Sequence, residues 1–75
     1  MTNAEAARVW LWAAHWARHE EDALVYAHPR PDGWEEDALR FAKTSDACYR
    51  QAAKLLGGSV SEEAWRDAVD SFSNP

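Results

Sequence analysis

The sequence is poor in cysteine and has no long hydrophobic run. Its one cysteine, Cys48, excludes an intramolecular disulfide and fits a reducing cytoplasm. The longest stretch without Asp, Glu, Lys or Arg near the N-terminus, residues 9–17, is far shorter than the ~20 residues that a membrane-spanning helix requires, and no signal-peptide cleavage pattern is present. We therefore expect a cytoplasmic protein that does not act at a membrane.

Glycine and proline are also scarce, with three of each among 75 residues. Most of them fall in two short segments, 28–33 and 57–58, and these residue types interrupt helices. Capping signals border the remaining segments: the starts are Thr2 or Asn3 with Glu5, Asp32 with Glu35, and Ser61, and the end of the second helix is Gly57. The sequence therefore predicts one all-α domain, residues 1–75, with helices at about 3–27, 33–56 and 61–73. The first two should form an antiparallel hairpin, with a short third helix packed on it.

Apolar residues recur at helical spacing within these segments. The predicted buried stripe of the second helix is Trp34, Ala38, Phe41, Ser45, Cys48, Tyr49, Ala52, Leu55 and Leu56. The predicted buried stripe of the first helix is Val9, Trp12, Trp16, His19, Ala23, Tyr26 and Ala27. This choice leaves Trp10 and Leu11 outside the stripe. Because so short a chain has a thin core, we expect Trp10 or Leu11 to be partly exposed and available to a partner.

Acidic residues outnumber basic ones by 13 to eight, and the excess lies in the first half of the chain. Residues 1–37 hold eight acidic and three basic residues, whereas residues 38–75 hold five of each. A helical hairpin brings the end of the first helix close to the start of the second. It would place together six carboxylates that we call the acidic pole: Glu20, Glu21, Asp22, Glu35, Glu36 and Asp37.

The first three members of the acidic pole lie in the C-terminal half of their helix, where the helix dipole disfavours negative charge. Carboxylates that occupy a position disfavoured by the helix dipole, without an evident gain in helix stability, indicate a function at that position. The alternative interpretation is a solvated face, because runs of charge commonly serve solubility.

Other kinds of chemistry find little support in the sequence. His15 and His19 have the i, i+4 spacing of metal ligands, but no Glu follows His15 and no cysteine pair is present. Cys48 lies among Ala and Tyr residues, without a cationic neighbour to activate its thiol. Gly57-Gly58 lacks the lysine of a phosphate-binding loop. We therefore expect neither catalysis nor a metal or other cofactor.

A three-helix fold is compatible with DNA binding, and the second helix has a line of basic side chains: Arg40, Lys43, Arg50 and Lys54. Glu36 and Asp46, however, each precede an arginine by four residues, a spacing that favours ion pairs. Phosphate binding requires a basic face, and this chain carries a net charge of −5. We therefore expect no direct contact with nucleic acid.

The sequence best fits a small acidic, non-enzymatic module that binds a basic surface of a larger protein, as an adaptor or inhibitor. In general style, a compact acidic helical chain resembles small phage or mobile-element proteins that block the nucleic-acid-handling machinery of a host, anti-CRISPR proteins among them. The alternative is a structural homodimer that completes its core by pairing the aromatic residues of the first helix.

Overall fold

The computed structural model describes residues 1–73, which form three α-helices: α1 (Asn3–Val25), α2 (Trp34–Leu55) and α3 (Glu62–Ser73). α1 packs strongly on α2, and α3 packs more weakly on α1. The predicted all-α class is confirmed, and no strand occurs within residues 1–73. The molecule is elongated along the hairpin, measuring 42 × 24 × 20 Å.

The starts of α1 and α3 follow the predicted capping signals. The Thr2 hydroxyl accepts a hydrogen bond from the Glu5 N–H at 3.1 Å, and the Thr2 N–H donates to the Glu5 carboxylate at 3.2 Å. The hydrogen bond from the Thr2 backbone is the largest cause of the lowered pKa of Glu5. At α3, the Ser61 hydroxyl accepts from the Ala64 N–H at 3.1 Å. Both caps satisfy backbone donors that a helix start leaves free.

The start of α2 differs from the prediction, because Asp32 does not cap it. The N-cap is Gly33, whose φ of 76° lies in the left-handed region, and no side chain caps this end. Glycine adopts that conformation without steric cost, so the chain turns into α2 through Gly33. At the other end the prediction of Gly57 as the left-handed residue is confirmed, with φ of 93°. The Gly58 N–H donates to the Ala53 carbonyl at 2.7 Å, which completes a Schellman motif.

The core is built mainly from alanine. Of the eight buried hydrophobic residues in the described chain, six are alanine, and the set is Ala7, Leu11, Ala14, Ala17, Ala38, Cys48, Ala52 and Ala68. Small side chains allow two helix backbones to approach closely. The Ser45 hydroxyl of α2 donates to the Ala14 carbonyl of α1 at 2.9 Å, so even this short side chain bridges the two helices. We call the alanines between the helices the alanine seam: Ala7, Ala14, Ala17, Ala38 and Ala52.

Cys48 lies beside this seam, as predicted, and is buried. Burial raises the pKa of its thiol, because a thiolate is poorly solvated away from water. The thiol form is therefore favoured, which is the state expected of a structural cysteine.

The predicted buried stripe of α1 is wrong for most of its residues, although Trp12 does pack against the core. Trp16 is 46% exposed and Tyr26 is 81% exposed, and Val9 and His19 are exposed as well. The prediction assigned the large apolar residues to the buried face of α1. The close approach of α2 instead requires small residues on that face. The helix is rotated accordingly, so that its alanines face α2 and its tryptophans flank the interface.

Leu11 was expected near the surface, and this expectation is also wrong. It is 1% exposed and packs in one cluster with Ala7, Ala52 and Ala68, where all three helices meet. Trp12 packs against this cluster, and its indole N–H donates to the Ala68 carbonyl at 2.9 Å. Leu11 is therefore a core residue and cannot contact a partner, whereas Trp10 remains 40% exposed.

The first prediction compares two leucines. Leu11→Ala should destabilise the fold by about 2–5 kcal/mol, because it removes the largest fully buried side chain and leaves a cavity. Leu39→Ala, the same substitution at an exposed position of α2, should change the free energy of unfolding by no more than about 0.5 kcal/mol. Urea unfolding followed by circular dichroism measures both, and equal effects would mean that Leu11 does not join the three helices.

Candidate binding surfaces of the hairpin

The structure brings the two acidic triads to the same end of the molecule. The antiparallel hairpin joins the last turns of α1 to the first turn of α2 through residues 26–33. Residues 20–37 contain seven Asp or Glu and one arginine, a formal charge of −6, while the rest of the chain contains six acidic and seven basic residues. The whole excess of negative charge is thus located at this end.

The acidic pole surrounds the end of the hairpin and does not form a single flat face. Successive residues of a helix point about 100° apart, so each triad of neighbours spreads over about 200°. Glu20, Glu21 and Asp37 are half-buried, and the remaining three, Asp22, Glu35 and Glu36, are exposed. A partner can therefore meet negative charge from several directions.

The carboxylates of the acidic pole are almost free of internal neutralisation. Asp37 pairs with Arg40 at 3.9 Å, and both side chains are at least half exposed, so this ion pair is weak. The other five carboxylates form no ion pair with any residue in the described part of the chain. Their charge is available to attract a positive surface.

Arg30 is a feature of this end that sequence reasoning missed. Its Nε donates to the Val25 carbonyl at 2.9 Å, and its guanidinium lies 4.4 Å from the centre of the Trp34 ring. The last turn of α1 contains no basic residue, so Arg30 supplies from the loop the cation that a helix C-terminus favours. Arg30 thus stabilises the C-terminal end of α1, while the carboxylates of the acidic pole keep their negative charge.

Tyr26 adds an aromatic ring to the acidic pole. It is the C-cap residue of α1, four residues after Asp22, and its exposure places the ring in solvent at the same end of the hairpin as the carboxylates. The sequence pattern assigned it to the core because its spacing matched the other large residues. Exposed tyrosine is typical of protein interfaces, where it combines apolar area with a polar tip.

Three large apolar side chains of α1 are exposed outside the acidic pole, Val9, Trp10 and Trp16, and we call them the α1 aromatic surface. Val9 and Trp16 point in nearly the same direction, and Trp10 points about 100° away from Val9. α3 contacts α1 through Leu11, Trp12 and His15. The side chains of the α1 aromatic surface lie outside this contact. The rings of Trp16 and of Phe41 on α2 meet edge to face, with ring centres 5.6 Å apart. These side chains are apolar, and the contact with Phe41 holds Trp16 in place. Exposed apolar side chains of this kind are typical of an interaction patch.

A cleft of about 490 Å³ opens beside the acidic pole, where the Trp65 side chain of α3 approaches α2. The rings of Tyr49 and Trp65 meet at 5.9 Å in an edge-to-face arrangement. We call this the aromatic cleft, and its lining residues are Arg18, Glu21, Ala42, Ser45, Asp46, Tyr49 and Trp65. Sequence reasoning missed it, because three helices contribute to it.

His15 connects α1 with α3. Its ring contacts the rings of His19, Phe72 and Trp65, with centres 4.7, 5.0 and 6.0 Å away. Burial lowers its pKa, and the neighbouring His19 lowers it further. The predicted buried stripe included His19 and not His15, whereas His19 is exposed and His15 is half-buried against α3. In the described residues, no group of three or more His, Cys, Asp or Glu side chains is placed to hold a metal ion.

No helix in residues 1–73 combines the length and the apolar character that crossing a membrane requires. The sequence matches no protein-family model and no curated protein, and the fold matches no solved structure.

The second prediction concerns pH. Because the pKa of His15 is lower in the folded chain, the folded state binds fewer protons there than the unfolded state. This contribution to stability is complete above the usual histidine pKa of about 6.5 and is lost as the pH falls below it. The difference in free energy of unfolding between neutral pH and about pH 5.5 should shrink in His15→Gln. His28→Gln, an exposed loop control, should retain it, and an unchanged pH dependence in His15→Gln would contradict the assignment.

Proposed function

We propose that this protein is a non-enzymatic binding module whose acidic pole docks on a basic surface of a larger protein. The observation that carries the proposal is the formal charge of −6 on residues 20–37, with five of the six carboxylates of the acidic pole outside any ion pair that the described residues form. Such a concentration of charge raises the rate of encounter with an oppositely charged surface.

The exposed ring of Tyr26 supplies the apolar contact that charge alone does not provide. Electrostatic attraction mainly sets the rate and the specificity of association, whereas buried aromatic anchors set much of the affinity. An exposed aromatic ring at the same end of the hairpin as six carboxylates fits a partner with an apolar depression bordered by Lys or Arg. In this arrangement Tyr26 is the anchor and the acidic pole directs the approach.

Strongly basic surfaces are typical of proteins that bind nucleic acids. A module that covers such a surface would act as an inhibitor, in the manner of phage or mobile-element proteins of the anti-CRISPR type. Duplex DNA carries one charge per ~1.7 Å of its axis, so six charges correspond to only about 10 Å of duplex. The proposed inhibitor therefore covers a local patch of phosphate contacts and does not imitate a long duplex.

The third prediction tests the acidic pole. Replacing Glu20, Glu21 and Asp22 with Gln, Gln and Asn should slow association with a partner captured at low salt and then purified, by about tenfold. It should also reduce the salt dependence of the association rate. The helix should be unchanged or slightly more stable, because the triad opposes the dipole of α1. Surface plasmon resonance at several salt concentrations measures the rates.

The matched control removes three charges elsewhere, with Glu62→Gln, Glu63→Gln and Asp67→Asn in α3. This variant has the same net charge as the first but an intact acidic pole, so its association rate should stay close to that of the natural sequence. Equal slowing in both variants would show a general charge effect. If the triple variant of α1 associates at the same rate as the natural sequence, the acidic pole is only a solvated face and does not dock on the partner.

A second candidate function is homodimer formation through the α1 aromatic surface. The observation that favours it is the exposure of Val9, Trp10 and Trp16 beside a core in which Leu11 is the only large side chain fully buried among the described residues. Pairing of two such surfaces would bury aromatic area that the monomer leaves in water.

The fourth prediction separates this candidate from the first. A homodimer requires the mass measured by analytical ultracentrifugation to rise with concentration, and Trp10→Ala should return it to that of a monomer. Leu39→Ala, a control at another exposed apolar position, should leave the association unchanged. A constant monomer mass over the whole concentration range would eliminate the homodimer.

A further inference from the structure

The aromatic cleft adjoins the acidic pole, and Glu21 belongs to both. Resting on the proposed function, we propose that this cleft receives an arginine side chain from the basic surface of the partner protein. The proposal adds a specific pocket to a contact that otherwise depends on overall charge.

The dimensions and walls of the cleft suit a flat cationic group. Its volume of about 490 Å³ falls in the range of ligand-binding clefts, and the rings of Tyr49 and Trp65 form part of its wall. A guanidinium stacks on aromatic faces and retains its charge at any physiological pH. The chain already contains one such contact, in which the Arg30 guanidinium lies over the Trp34 ring.

The cleft lining offers three acceptor groups, and Arg18 is its charged donor. Glu21 and Asp46 contribute carboxylates, and the Ser45 O–H already donates a hydrogen bond to the Ala14 carbonyl at 2.9 Å. The Ser45 oxygen can therefore only accept a hydrogen bond from a ligand. Three acceptors beside two rings favour a ligand with several donors. Arginine offers five N–H donors in one plane, whereas lysine offers a compact ammonium.

The charges of the cleft leave room for one additional cation. Arg18 offsets one of the two carboxylates, so the lining residues have a net charge of −1. Glu21 forms no ion pair within residues 1–73, so its carboxylate is the one open to an incoming guanidinium. Asp46 pairs with Arg50 at 3.1 Å, but both side chains are mostly exposed. An ion pair of this kind contributes only about 0–1 kcal/mol, so Asp46 can exchange Arg50 for the partner's arginine at small cost.

The fifth prediction uses N-acetyl-arginine amide as the probe and the intact chain as the receptor. In a two-dimensional NMR titration, the probe should shift the indole N–H of Trp65 and the backbone amides of Ser45 and Tyr49 in a saturable manner. The citrulline analogue has nearly the same shape without the charge, and it should not bind. Glu21→Gln should weaken binding about tenfold, as expected for the loss of a charge-assisted hydrogen bond.

Glu20→Gln is the matched control, because it removes the same charge one residue away and outside the cleft lining. The proposal is overturned if no saturable shift occurs, if the citrulline analogue binds equally, or if Glu20→Gln weakens the probe as much as Glu21→Gln. Shifts confined to the indoles of Trp10 and Trp16 would also overturn it, since they would place the probe on the α1 aromatic surface.

A second variant separates failure of the cleft from failure of the proposed function. Tyr49→Leu removes one aromatic wall without changing the charge, so the partner should dissociate faster while its association rate stays unchanged. Unchanged dissociation would refute the cleft and leave the acidic pole intact as a docking surface. Glu20→Gln combined with Asp22→Asn tests the acidic pole alone, through the association rate.

Discussion

The close approach of α1 and α2 along the alanine seam is the constraint on which the rest of the structure depends. Alanine loses almost no side-chain entropy on burial and favours the helical state. It leaves no room between the helices for larger groups, so these lie at the flanks of the interface. The exposure of Trp16 and the position of Tyr49 at the edge of the aromatic cleft both follow from this exclusion. The surfaces proposed for binding are thus consequences of how the hairpin packs.

The limited reach of α3 divides the hairpin into a covered and an uncovered half. Leu11 and the hydrogen bond from Trp12 to the Ala68 carbonyl hold α3 against the first half of α1. Beyond His15, no third helix within residues 1–73 covers the rest of α1 or the first turns of α2. That uncovered half contains the acidic pole, and Trp65 of α3 reaches its border to form the aromatic cleft. The chain therefore combines a stabilised end with an end available for contact.

Most local features were predictable from the sequence, with the Asp32 cap as an exception, whereas the rotation of α1 and the aromatic cleft were not. The caps at Thr2, Gly57 and Ser61 involve residues within a few positions of each other, so short-range rules describe them well. The rotation of α1 depends on how closely another helix approaches, and the hydrophobic pattern alone favoured the tryptophans over the alanines. The aromatic cleft combines residues from three helices that no spacing in the sequence connects. The acidic pole was predictable because a hairpin with a short loop leaves only one arrangement for residues on both sides of the loop.

The alanine seam also affects how freely this chain can change over generations. Its positions admit few replacements, since a larger side chain there would force the two helices apart. The residues of the acidic pole and Tyr26 contribute little to the core, so most substitutions among them leave the fold intact. The residues that hold the hairpin together and the residues of the proposed binding surface are therefore different ones. If the acidic pole binds a partner as proposed, its residues can change together with that partner while the alanine seam stays constant.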